Sequence, residues 1–110
     1  MGMPNFAEQR ISLRRKLSGL LPGKLTVVGA TSSLACKPVD ISAHWLGIVS
    51  MELLTVGAMI ALKTSRDDIM LEVVWGKPDF GKRDLMRYGL VVVDSTVNLE
   101  TVFAVAGCLK

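Results

Sequence analysis

The chain has 110 residues, half of them apolar, with thirteen Lys and Arg against ten Asp and Glu for a net charge of +3. That size suits one domain with a modest core, and the apolar content excludes disorder throughout. Six aromatic residues (Phe6, Trp45, Trp75, Phe80, Tyr88 and Phe103) offer few platforms for stacking on nucleobases.

The charge is uneven. In residues 1–24, Arg10, Arg14, Arg15, Lys16 and Lys24 face the single acid Glu8, leaving the remainder close to neutral. A basic segment on a near-neutral body suits an anionic surface, either lipid headgroups or phosphates; the alternative is a solvated tail. On a helical wheel Phe6, Leu13, Leu17, Leu20 and Leu21 share a stripe, which Arg10 interrupts. This predicts an imperfect basic amphipathic arm over 1–24, stopped by Leu21-Pro22-Gly23, that lies on a membrane, docks on a partner or covers the protein's own sheet.

The body, 25–110, then reads as a single α+β domain. "KLTVVGATSSLA" (24–35) reads as a strand interrupted at Gly29. "PVDISAHWLGIVSMELL" (38–54) alternates, with Val39, Ile41, Ala43, Trp45, Val49, Met51 and Leu53 on one parity. This predicts one long strand with a bulge or bend at Gly47. "GAMIALKTSRDDIMLEVVW" (57–75) reads as a hairpin, with a polar turn at 65–68 and Ile69, Leu71, Val73 and Trp75 alternating.

"GKPDFGKRDLMRYG" (76–89) reads as a short helix, with Pro78 in its first turn and Gly89 as its stop. "LVVVD" (90–94) and "LETVFAVAG" (99–107) read as two closing strands. The expected fold class is therefore α+β: mostly antiparallel sheet, one short helix before the last hairpin, and a basic N-terminal arm or helix.

Reaction chemistry has little to work with. His44 is the only histidine, and although Asp40 and Ser42 share its parity, side-by-side projection does not make the hydrogen-bonded relay that a catalytic triad requires. Asp67 and Asp68 suit a turn, and no phosphate-binding glycine loop or calcium-loop spacing occurs. Cys36 and Cys108 stand outside any metal-ligand spacing and are expected as reduced thiols. No enzyme, metal or cofactor is expected. Lys77, Lys82, Arg83 and Arg87 form a second cationic set. Trp45 and Trp75 are expected in the core.

Three pieces, "DFGKRDLMRYGLVVV", "SAHWLGI" and "ALKTSRDDIMLEVVW", together about 40 of the 110 residues, resemble rhabdovirus matrix proteins of the vesiculovirus type. The likeness lies in an aromatic after an acid, a basic stretch, a Leu-Met pair, an aromatic-glycine stop and an aliphatic strand, with a His-Trp pair upstream. The resemblance implies a basic arm on a compact α+β body that self-associates and bridges a membrane's inner leaflet to a ribonucleoprotein. The chain departs from that family in having no room for its long central segment and no proline-rich late-domain motif in the first 40 residues.

The sequence thus points to a non-enzymatic, matrix-like structural protein that forms a homo-oligomer. It would bind an anionic lipid surface, or nucleic acid in a ribonucleoprotein, through Arg10, Arg14, Arg15, Lys16, Lys24, Lys82, Arg83 and Arg87. Phe6, Leu13 and Leu17 would insert into the membrane. The alternative is a small nucleic-acid-binding or protein-interaction accessory module. No apolar run reaches the roughly 18 residues of a membrane span, and residues 1–18 lack the apolar centre of a secretory signal. The expected location is cytoplasmic and peripheral to a membrane, with the virion implied by the resemblance.

Overall fold

Period-two alternation dominates the chain, and the computed structural model, which describes residues 17, 19–79 and 84–109, turns it into a single sheet. Its strands are β1 (Gly23–Val27), β2 (Cys36–Ile41), β3 (Trp45–Ser50), β4 (Met59–Thr64), β5 (Asp68–Pro78) and β6 (Met86–Val92). They lie in the order β1-β4-β5-β6-β3-β2, and every neighbouring pair is antiparallel. The sheet curls into a half-barrel. One short helix, α1 (Leu99–Val105), follows the last strand.

The inner face carries Leu25, Ile41, Leu46, Ile48, Ile60, Leu62, Ile69, Leu71, Val73, Tyr88 and Leu90, and Leu99 and Phe103 of α1 complete this core. Each such side chain contributes about 1.5–3 kcal/mol on leaving water. The end of the chain therefore belongs to the same folding unit as the sheet. Leu99 N–H also donates to the Ala43 carbonyl (2.7 Å), which ties the helix start to the turn between β2 and β3.

The α+β expectation is overturned. Among the described residues strands make up 49% and helix 8%, and the helix lies after the last strand rather than before a closing hairpin. In the segment read as a helix over 76–89, Pro78 ends β5 and Gly89 sits inside β6. Tyr88, Leu90 and Val92 are buried at every second position there, so the sheet period overrides the apparent helix punctuation.

The segment read as a closing strand over 99–107 is a helix because both of its ends are capped. Asn98 accepts from Thr101 N–H (3.2 Å) through its side-chain oxygen. At the other end Cys108 N–H donates to the Phe103 carbonyl (2.8 Å) and Gly107 N–H to that of Ala104 (3.0 Å). This pair of bonds is the Schellman arrangement, and Gly107 supplies the positive φ of 76° that it requires.

The long strand expected over 38–54 is two strands of a hairpin, turning at 42–44. The turn also reverses which parity is buried, against the expected alternation. Ile41 pairs with Leu46, so Leu46 and Ile48 face inward while Trp45 and Val49 face outward. Gly47 is no bend; it pairs in register with Gly89. The 57–75 hairpin forms as the alternation predicts, with Thr64 Oγ1 organising its turn by accepting from the N–H groups of Arg66 and Asp67.

Candidate functional site

Register places three cations in one line across the sheet. Lys37 of β2 pairs with Val49 of β3, Val49 with Arg87 of β6, and Arg87 with Lys77 of β5. The row belongs to the outer face, since the flanking Ile48 and Tyr88 face the core. Lys37 and Lys77 are exposed, and Arg87 is half-buried. Lys77 Nζ lies 5.4 Å from the centroid of the Trp75 ring.

Of the residues expected from sequence to bind an anionic surface, Arg87 joins this row. Lys24 lies in β1, at the other edge of the sheet, where it pairs with Lys63. Arg10, Arg14, Arg15, Lys16, Lys82 and Arg83, with Phe6 and Leu13, fall outside the described residues. Leu17, expected to insert into a membrane, is half-buried against the core and bridges Leu109. Lys37 was not singled out in the sequence; only the β2–β3 register brings it to Arg87.

An apolar loop begins two residues beyond this row. Ser50, the last residue of β3, pairs with Cys36 and Met86, and the chain then exposes Met51 (70%), Leu53 (85%) and Val56 (61%). Its backbone is tied down. The buried Tyr88 hydroxyl donates to the Glu52 carbonyl and accepts from Leu54 N–H, both at 2.9 Å. Ser50 Oγ donates to the Ala35 carbonyl (2.6 Å) and accepts from Glu52 N–H (3.0 Å), and the Glu52 carboxylate takes Ala35 N–H (2.6 Å). The apolar side chains therefore project from a fixed scaffold. In the sequence Met51 and Leu53 read as the end of a strand.

The tryptophans are not core residues, contrary to expectation. Trp45 is 42% exposed and Trp75 is half-buried. The hairpin puts Trp45 on the outer parity. A bulge between Val73 and Trp75 does the same for Trp75, because one extra residue switches the face. The two rings meet over Gly89 of β6. A Cβ there would collide with the Trp75 indole and come within 2.9 Å of Trp45 Cζ3. Asp40 covers the neighbouring Gly47 in the same way.

Other reactive groups lie apart. His44 Nε2 is 3.0 Å from the Ser95 carbonyl oxygen, at the surface. Neither Cys36 nor Cys108 is in a disulfide. Burial first, and the Glu52 carboxylate second, push the Cys36 thiol up to about 11. Asp94 is held below the usual carboxylate range by Thr96, whose hydroxyl (2.7 Å) and N–H (3.0 Å) both donate to it. Among the described residues no group of three or more His, Cys, Asp and Glu could hold a metal ion, and no helix is long and apolar enough to cross a membrane. A groove of about 370 Å³ runs between α1 and the β4–β5 turn, lined in part by Ile69, Val102, Val105, Arg66 and Asp67.

No family model, curated protein or solved structure matches the chain. The likeness to vesiculovirus matrix proteins rests on the three quoted segments alone.

Proposed function

We propose that this is a non-enzymatic structural protein that docks peripherally on an anionic membrane surface, with Met51, Leu53 and Val56 entering the interface and Lys37, Lys77 and Arg87 meeting the headgroups. The observation that carries this reading is the placement of three exposed apolar side chains on a tied-down loop that starts two residues past a row of cations. An exposed apolar patch with a polar rim marks an interaction surface. Apolar burial combined with attraction to anionic lipid is the balance that peripheral membrane binding uses.

The magnitudes are adequate. Each inserted side chain contributes at most about 1.5–3 kcal/mol, and each cation near an anionic leaflet about 1 kcal/mol. Arg10, Arg14, Arg15 and Lys16 would add to the attraction. Lys82 and Arg83 would too. Self-association belongs to the same reading and would use side-chain faces. Pro38 and the bulge beside it blunt the β2 edge, and Leu34 N–H occupies the Leu25 carbonyl at the β1 edge (2.6 Å).

Flotation with vesicles of phosphatidylcholine, with and without phosphatidylserine, tests this. Binding should require the anionic lipid, weaken as salt rises, and drop when Lys37 and Lys77 are both changed to Gln. Equal binding to neutral and anionic vesicles, or binding indifferent to salt, would exclude the mechanism.

A further inference from the structure

We infer that the outer face of β3, β5 and β6 is a stacking site for an unpaired base of single-stranded nucleic acid, with Trp45 and Trp75 as the platform and Lys77, Arg87 and Lys37 receiving the adjoining phosphates. This goes beyond the membrane reading. It draws on the same cations but makes no use of the apolar loop.

Two features of the face favour this occupant. The indoles come from two strands that are not neighbours and meet over Gly89 of the strand between them, where the missing side chain lets both rings lie close to the sheet. Trp45 keeps 42% of its surface in water, so an aromatic surface remains for a planar partner. Bases of any sequence stack on such surfaces because every base has a π-face.

Charge sets the direction of the strand. Successive same-face residues of a strand lie about 7 Å apart. One such step from Trp75 is Lys77, and one step from Gly89 is Arg87. A phosphate next to a base on the platform thus meets the cation row. The step on the other side carries Met59, Glu72, Val91 and Trp45 in register, apolar apart from one acid. Asp40, over Gly47, lies in the platform's own row. Glu72 and Asp40 disfavour phosphate in these two rows and leave the cation row as the favoured side.

Trp45 and Trp75 are the only tryptophans in the chain, so intrinsic emission reports on this face alone. The full-length protein is titrated with a short oligouridylate, following tryptophan emission and the anisotropy of a labelled strand. Saturable quenching is expected. Trp45→Leu should weaken binding about tenfold, in line with the loss of one stacking surface. Lys77→Gln, an exposed change that keeps both indoles but removes the ammonium beside Trp75, should weaken binding severalfold and flatten its salt dependence. Leu53→Ser should leave oligouridylate binding unchanged while lowering vesicle binding, which separates failure of this inference from failure of the membrane reading. Strand binding without quenching, or with undiminished affinity in both Trp45→Leu and Lys77→Gln, overturns the inference. So does an emission shift with phosphatidylserine vesicles and none with oligouridylate.

Discussion

Trp75 and Gly89 stand opposite each other on β5 and β6, and the indole fills the space that a Cβ on Gly89 would need. This contact explains how two large aromatics rest on the outside of a sheet. The glycine removes the side chain between the strands, and the rings shield the backbone beneath them. Gly89→Ala must push both indoles outward. The expected cost is about 1–3 kcal/mol, as for other overpacked sites, read as a lower urea midpoint together with a red-shifted tryptophan emission.

The Tyr88 hydroxyl gives the loop its fixed shape. Tyr88→Phe leaves the Glu52 carbonyl and Leu54 N–H without this partner, and losing two part-buried hydrogen bonds costs about 1–3 kcal/mol. Amide hydrogen exchange should accelerate at Leu54 well before it does in the centre of β6. Unchanged protection there would mean the clasp does not hold the loop.

Helix α1 depends on its ends more than on its seven residues. Asn98→Ala removes the cap on Thr101 N–H, costing about 1 kcal/mol. Gly107→Ala meets no neighbouring atom, yet it must adopt a φ of 76°, for about 1–2 kcal/mol. Both changes should lower Tm, and because the two sites lie at opposite ends of the helix their effects should roughly add.

Cys36 should be a slow nucleophile. Its pKa is raised to about 11 by burial and then by the Glu52 carboxylate, so the protonated thiol persists through neutral pH and the reactive thiolate accumulates only as pH climbs toward that value. Alkylation by iodoacetamide should be slow in the native protein at pH 8 and fast in denaturant. Glu52→Gln removes the repulsion and leaves the burial, so the apparent pKa should fall only part of the way to that of a free thiol.

Much of the sheet was legible. The hairpin over 57–75 follows directly from alternation around a polar turn. Where the reading failed, it failed through parity. The turn at 42–44 contains Ala43 and precedes Trp45, so the alternation runs through it without a break and predicts the tryptophan on the wrong face. At Trp75 a single bulged residue did the same. Gly89 carries two meanings in sequence, helix stop and close approach of a neighbouring side chain, and only the register of β6 selects the second. The helix at 99–105 did announce itself through Asn98, Glu100 and Gly107, but β-branched Val102 and Thr101 masked those caps. The cation row was half visible, as Lys77 and Arg87; Lys37 joins it through a pairing between distant strands, which no local pattern encodes.

Membrane docking through the loop is tested by the bound fraction of Leu53→Ser on phosphatidylserine-containing vesicles, compared with the unaltered protein at the same ionic strength. Leu53 is 85% exposed, so the substitution should leave Tm in place while lowering the partition coefficient by about tenfold or more, the equivalent of the roughly 1.5–3 kcal/mol gained on burying a leucine. Equal partitioning of the two proteins would mean that the loop stays in water when the protein binds, and the docking account would fall.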